Sequence, residues 1–112
     1  FLFEGTLPDF NSGTNSGTTC APQIEAEVRD VCDEAEGYSM VLDGRFKGGW
    51  TTRHYGRPAE NLHAIQMELA QSSYLTEEQA PWTYDMDKAG RLRAHLAEIL
   101  SRLDRLARED LR

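Results

Sequence analysis

Apolar residues recur most regularly near the end of the chain. From Asp87 to Asp110 they follow an alternating three-four spacing, with charged residues between them. This spacing predicts a long amphipathic helix with one apolar face. Its apolar positions are Ala89, Leu92, Leu96, Ile99, Leu103 and Leu106. His95 lies beside this stripe, so we expect it to have a structural role.

A second amphipathic helix is predicted from Pro22 to Glu36, where Ile24, Val28, Val31 and Ala35 recur at helical spacing. Pro22 suits a first helical turn, and Gly37 suits the residue after a helix. The preceding residues 11–19 are Gly, Ser, Thr and Asn throughout, which predicts a loop.

Three segments between the helices favour strands. Tyr38–Leu42 is a short apolar run that ends at a predicted turn at Asp43–Gly44. Arg45–Arg53 is interpreted as a second strand, broken or bulged at its glycine pair. Residues 62–70 alternate with a period of two, which favours a third strand, although Ala, Met, Leu and Glu are also good helix formers. Strands placed between helices indicate the α/β class, so we expect part of a mixed sheet with flanking helices and a long C-terminal helix.

In the third predicted strand, the alternation separates two faces. His63, Ile65, Met67 and Leu69 point to one side, and Ala64, Gln66, Glu68 and Ala70 point to the other. Glu68 therefore lies on the face opposite the large apolar residues. For Trp50, in the second predicted strand, we favour a place in the core, with the wall of the pocket as the alternative.

Composition limits the class of protein. The 112 residues correspond to one domain at most, and the formal net charge is −7. A net negative charge argues against binding to nucleic acid or to an anionic membrane surface. No apolar run approaches the ~18 residues needed to span a bilayer. Two cysteines, Cys20 and Cys32, do not form a disulfide framework, and we expect free thiols in a reducing cytosol.

The stretch from Asp43 to Gln71 differs from the acidic remainder. It contains four Arg or Lys, two His, four Gly and two Glu. Glycine permits a close approach of the backbone to a ligand, and arginine offers a planar fork for a carboxylate. This segment therefore predicts a site for a small anion.

Four blocks of sequence, in order along the chain, resemble one enzyme family. They are LFEGTLPDFNSGTNSGTTCAP from Leu2, GRFKGGWTTRHYGRP from Gly44, HAIQMELAQ from His63 and SSYLTEEQAPW from Ser72. Together they resemble the N-formylglutamate amidohydrolase (N-formylglutamate deformylase) family. The resemblance implies a zinc-dependent, cytoplasmic hydrolase that splits N-formyl-L-glutamate into formate and L-glutamate in histidine degradation. It also implies a zinc-exopeptidase-like, or phosphorylase-hydrolase-like, fold.

The resemblance supports roles for particular residues. A carboxylate beside a hydrolytic water acts as general base, and the family block adds weight to Glu68 in that role. Arg53 is the leading candidate for binding a substrate carboxylate, with Arg45 and Arg57 as alternatives. Tyr55 or His54 could donate a hydrogen bond to the developing oxyanion. We expect Gly48 and Gly49 to bring the backbone close to the pocket.

The family enzymes are more than twice the length of this chain, and the resemblance covers their C-terminal part. We therefore expect residues 1–112 to be the C-terminal part of a single domain. We expect the zinc ligands to lie in the N-terminal part of the same enzyme. This piece alone would then bind no zinc, lack activity and self-associate through exposed apolar surface. The expected ligand is an N-acyl amino acid. The alternative is a non-catalytic ligand-binding or interaction module that keeps the scaffold without the metal site.

Overall fold

The computed structural model describes residues 6–109 and residue 111. These residues form three strands and three α-helices, with single 3₁₀ turns at Pro58–Glu60 and Gln71–Ser73. In chain order the elements are β1 (Phe10–Gly13), α1 (Pro22–Glu34), β2 (Met40–Leu42), α2 (Trp50–Tyr55), β3 (Gln66–Leu69) and α3 (Met86–Glu109).

The three strands form one mixed sheet in the order β2-β1-β3. Strand β1 runs parallel to β2, with Phe10 opposite Met40. It runs antiparallel to β3, with Phe10 opposite Leu69. Parallel neighbours need a crossover connection, and α1 supplies it. The predicted α/β class, with a mixed sheet and a long C-terminal helix, is confirmed.

Helices α1 and α3 cover one face of the sheet. Phe10 of β1 is fully buried there, against Val28 and Val31 of α1 and Leu92 of α3. Ile65, at the approach to β3, packs on the same cluster, as do Met67 and Leu69. Both predicted helices are confirmed, although α1 ends at Glu34 and α3 begins at Met86. Asp110 lies outside the described residues.

His95 is half-buried and meets the ring of Tyr38 edge-on, with 4.9 Å between ring centroids. Both cysteines are buried free thiols. Burial raises the pKa of Cys20 to about 11 and that of Cys32 to about 11, so both are protonated at neutral pH. Within the described residues, no helix is both long and apolar enough to cross a membrane.

The loop predicted over residues 11–19 is wrong at its start, because Asn11, Ser12 and Gly13 belong to the central strand β1. Polar and glycine residues have low strand propensity, but neighbouring strands bond both edges of this segment. Ladder bonds on both sides outweigh that weak preference.

The strand predicted over Arg45–Arg53 is also wrong. The chain bends at residues 43–45, continues without regular structure, and forms α2 from Trp50 to Tyr55. Thr, Trp and Tyr are typical of strands, but that preference depends on context. Here Gly48 has φ 137°, a conformation that L side chains rarely adopt, and its turn directs the chain into a helix.

The segment between β2 and α2 lies on the face of the sheet opposite α1 and α3. Its contact point is Gly13, where an added Cβ would stand 2.7 Å from the carbonyl carbon of Lys47 and 2.8 Å from its oxygen. The N–H of Asn15 donates a 2.6 Å hydrogen bond to the same oxygen. The basic segment therefore lies directly on β1 because residue 13 has no side chain.

Leu92→Ala should lower the free energy of unfolding by about 2–5 kcal/mol, because it leaves a cavity between α3 and the sheet. Leu100→Ala on the same helix is the matched control, since Leu100 is 67% exposed and should change stability by no more than about 0.5 kcal/mol. Urea unfolding followed by circular dichroism measures both. Equal effects would contradict the assignment of the buried face of α3.

Gly13→Ala should destabilise the chain by about 1–3 kcal/mol, because the new methyl group would overlap the backbone of Lys47. Gly90→Ala is the control, since a Cβ at that position of α3 meets no atom within 4 Å. It should stabilise the helix by up to about 1 kcal/mol through propensity alone. The two substitutions should thus shift the urea midpoint in opposite directions. A Gly13→Ala variant as stable as the parent would contradict the close contact.

Candidate functional site

The candidate site lies on the face of the sheet that the basic segment covers. The antiparallel register sets Asn11 opposite Glu68, and Gly13 opposite Gln66. Because paired residues share a face and successive residues alternate, these four lie on the side away from Met67 and Leu69. The predicted strand is confirmed for residues 66–69, and so is the separation of Glu68 from the core.

Asp43 attaches the start of the basic segment to the end of β1. Its two carboxylate oxygens accept hydrogen bonds from the N–H and the hydroxyl of Thr14, both at 2.7 Å. Its own N–H donates to the carbonyl of Ser12 at 2.8 Å. Bonds to a carboxylate are stronger than those between neutral groups. Asp43 therefore fixes the point where the chain leaves β2 for the site.

The side chain of Gln66 holds the beginning of α2. Its Oε1 accepts a hydrogen bond from the N–H of Gly49 at 2.7 Å and another from the hydroxyl of Thr52 at 3.2 Å. Gly49 immediately precedes the helix, and Thr52 is the buried residue of its first turn. A six-residue helix has little stability by itself, so these tertiary contacts determine its position.

Glu68 is exposed, and its Oε1 accepts a hydrogen bond from Nε2 of Gln66 at 3.2 Å. Beside it, the amide of Asn11 donates to the carbonyl of Pro8 at 2.7 Å and at 3.4 Å to that of Glu68. The Oδ1 atom of Asn11 is buried and has no hydrogen-bond partner among the described residues. The carboxylate of Glu68 is therefore accessible to water, while the backbone carbonyl of Glu68 is hydrogen-bonded to Asn11 of the neighbouring strand.

Arg53 projects from α2 and is exposed. Its Nη1 donates a hydrogen bond to the carbonyl of Gly48 at 3.0 Å, which ties the guanidinium to the turn before the helix. A guanidinium has five N–H donors, so one such bond is compatible with a bidentate grip on a carboxylate. Through Gln66 and the glycine pair, Arg53 and Glu68 belong to one connected group.

The remaining predicted residues lie farther along the segment. Tyr55 is exposed and packs edge-on against His54 and Trp50, with ring centroids 4.7 and 6.2 Å apart. Trp50 stacks on His54 at 4.3 Å and is 62% exposed, so its predicted place in the core is wrong. Its position on a short helix at the surface explains the difference.

Arg57 follows the end of α2 and pairs with Glu60 at 3.8 Å across exposed surface, which is a weak interaction. Arg45 is exposed in the bend after β2. No hydrogen bond or ion pair within the described part of the chain joins Arg57 or Tyr55 to Glu68. The structure thus connects Gly48, Gly49 and Arg53 to Glu68, and leaves Arg57 and Tyr55 at the edge of the group.

Sequence reasoning missed four residues that position the group, namely Thr14, Asp43, Thr52 and Gln66. Gln66 had a usable signal, because it lies two residues before Glu68 in an alternating strand and must share its face. Thr52 had no such signal, since its contact depends on a helix that the local pattern does not predict. The turn at Asp43 was predicted, but the local pattern does not indicate that its carboxylate would bond to Thr14.

No group of three His, Cys, Asp or Glu side chains within residues 6–109 and 111 is arranged to hold a metal ion. The carboxylate of Glu68 is hydrogen-bonded to the neutral amide of Gln66, and the ring of His54 stacks on Trp50 and meets Tyr55 edge-on. A catalytic zinc site usually takes three protein ligands. The described residues do not fit such a site.

Comparisons with known proteins agree on one family. A family model for N-formylglutamate amidohydrolase matches residues 1–75. An N-formylglutamate deformylase of Pseudomonas aeruginosa is 54% identical over 108 residues, which cover 96% of this chain and 40% of that protein. An N-formylglutamate deformylase of Pseudomonas putida is 53% identical over 102 residues, covering 91% and 38% respectively.

A solved structure gives the same result. The crystal structure of N-formylglutamate amidohydrolase from Ralstonia eutropha JMP134 superposes with a TM-score of 0.78 at 27% identity. The alignment covers 93% of this chain and 36% of that one. The chain thus spans about 40% of the length of the curated relatives that it matches. Sequence and fold together show that the chain belongs to the N-formylglutamate amidohydrolase family.

Proposed function

We propose that this chain supplies the general base and part of the substrate-binding surface for hydrolysis of N-formyl-L-glutamate to formate and L-glutamate. The reaction would take place in a polypeptide of the length of its relatives, which are named N-formylglutamate deformylases. The observation that carries the proposal is the connected group of Glu68, Gln66, the glycine pair and Arg53 on one face of the sheet.

Glu68 acts as the general base. Its exposed carboxylate takes a proton from a water molecule as the water oxygen attacks the formyl carbon. The proton then passes to the amide nitrogen as the carbon–nitrogen bond breaks, which releases formate and the amino group of glutamate. The hydrogen bond from Gln66 holds the carboxylate of Glu68 on the site face.

Arg53 binds a carboxylate of the substrate. Formylglutamate has two carboxylates, and a guanidinium held at one edge by Gly48 presents its remaining N–H groups in a fixed plane. Arg45 and Arg57 are the candidates for the second carboxylate. Tyr55 is the candidate donor to the developing oxyanion. The N–H of Gly49 is already hydrogen-bonded to Gln66, so it does not serve as a donor to the substrate. The contribution of the glycine pair is the backbone turn at Gly48 and the close approach of the backbone to the site.

The zinc implied by the family resemblance would be held by residues outside this chain, because the described residues do not offer a donor set. The zinc-exopeptidase-like fold, the place in histidine degradation and a cytoplasmic location belong to the same proposal. The two buried thiols support a reducing compartment.

A second candidate function is a non-catalytic module that binds its ligand or another polypeptide. The observation that favours it is an apolar cleft of about 320 Å³ between β3 and α3, lined by Ile65, Met67, Leu96, Leu100 and Leu103 among others. Strand β3 forms an edge of the described sheet beside this cleft. Such a module would bind formylglutamate without releasing formate, so an assay for formate separates the two functions.

Glu68→Gln, in a polypeptide of the relatives' length that contains this segment, should lower kcat by about 10²–10⁴. Glutamine keeps the size and hydrogen bonding of the side chain but does not accept the proton. Metal content and substrate binding should stay close to the parent values. Glu78→Gln, at an exposed position after β3, is the control and should leave kcat unchanged. Formate release and metal content should be measured on one preparation. Retained activity would remove Glu68 from the mechanism, and loss of metal would make it a ligand.

Arg53→Ala in the same polypeptide should raise KM for formylglutamate about 30-fold or more, the equivalent of ~2 kcal/mol for a lost charge-assisted pair. The comparison substrate is N-formyl-L-glutamine, which lacks the side-chain charge. If Arg53 binds the side-chain carboxylate, the KM for this amide should rise much less. Arg108→Ala, which removes an exposed arginine of α3, is the control. Equal losses for both substrates would show that Arg53 does not bind that carboxylate.

A further inference from the structure

Gln66 is the residue through which the two halves of the candidate site meet. Glu68 belongs to β3, whereas Arg53 belongs to α2, and no helix or strand continues from one to the other. We propose that Gln66 is a positioning residue that fixes the general base relative to the carboxylate-binding arginine. This proposal rests on the proposed function and adds to it a residue that acts through Glu68 and Arg53.

The amide group suits this task because its two ends have opposite hydrogen-bonding character. Oε1 accepts from the N–H of Gly49 and the hydroxyl of Thr52, while Nε2 donates to the carboxylate of Glu68. In the flipped orientation, an N–H₂ group would face the N–H of Gly49 and an oxygen would face the carboxylate. Both contacts would then be repulsive, so the neighbours select a single orientation.

The hydrogen-bonded connection from Glu68 through Gln66 continues to Arg53 across the peptide bond between Gly48 and Gly49. Gly49 is bonded to Gln66, and its neighbour Gly48 accepts the hydrogen bond from Arg53. The N–H of Gly49 and the carbonyl of Gly48 belong to the same planar peptide unit. The route from base to arginine therefore consists of one side chain and one peptide unit. Hydrolysis requires the attacking water and the bound substrate to be aligned within fractions of an ångström, so the stiffness of this short route affects the rate.

Two substitutions separate the two contacts of the amide. Gln66→Leu removes both, so the turn before α2 and the carboxylate of Glu68 each lose a partner. Gln66→Glu keeps an oxygen for Gly49 and Thr52 but replaces the donor to Glu68 with a second carboxylate. If Gln66 only stabilises the fold, the two variants should change kcat and KM in the same way. If Gln66 positions the base relative to the arginine, the changes in kcat and KM should differ between the two variants.

The first readout uses the 112-residue chain and needs no activity. Hydrogen exchange of the Gly49 amide, followed by NMR, should accelerate about tenfold or more in Gln66→Leu, as expected for a lost hydrogen bond of ~1.4 kcal/mol. Gln66→Glu should keep the parent rate within about threefold. Gln23→Leu, at an exposed position of α1, is the control and should have no effect. An unchanged Gly49 rate in Gln66→Leu would overturn the proposal.

The second readout is formate release by a polypeptide of the relatives' length. Gln66→Glu should lower kcat about tenfold or more and leave KM within about threefold, because the arginine side stays anchored. Gln66→Leu should lower kcat and also raise KM about tenfold. If both variants change kcat and KM alike, or neither does, the positioning role is wrong. Retained activity in Glu68→Gln would instead overturn the proposed function, so the two failures are distinguishable.

Discussion

The pairing of β1 on both of its edges is the interaction on which the rest of the structure depends. Strands β2 and β3 each bond to β1 and are separated by it. One face of β1 buries Phe10 under α1 and α3. Its other face carries Asn11 and Gly13, beneath the segment that forms the candidate site. A single four-residue strand therefore connects the core to the site.

This arrangement explains why the central strand has such a polar sequence. A large side chain at position 13 would displace the backbone of Lys47, and with it the turn at Gly48. Thr14, immediately after the strand, donates two hydrogen bonds to the carboxylate of Asp43. The residues that weaken β1 as a strand are thus the ones that let a second layer of backbone approach it. Its ladder bonds on two sides offset their low propensity.

The elements that sequence predicted well are those in which pattern and packing agree. The apolar stripes of α1 and α3 follow the face that is buried, so periodicity alone located them. The alternation of β3 also follows its buried face, and the family resemblance supported the choice of a strand over a helix there. The glycine pair and Arg53 of the predicted anion site also belong to a connected group. The segment from Arg45 to Arg53 could not be predicted in the same way. Its helix depends on the turn at Gly48 and on a side chain from β3 that is distant in sequence, and neither leaves a local period. Asn11 and Ser12 show no strand pattern in the sequence for the same reason, because only their pairing with β2 and β3 makes them part of a strand.

The alternation of β3 has a consequence for how this site can change. Met67 and Leu69 face the core, while Gln66 and Glu68 face the candidate site, within one strand of four residues. A shift of one residue in register would exchange the two sets, exposing the apolar pair and burying the carboxylate. The hydrophobic free energy that holds β3 in place therefore also keeps the acid on the outer face. Core and site cannot be adjusted independently along this strand. An insertion or deletion before Gln66 would have to be absorbed in the preceding loop for either to survive.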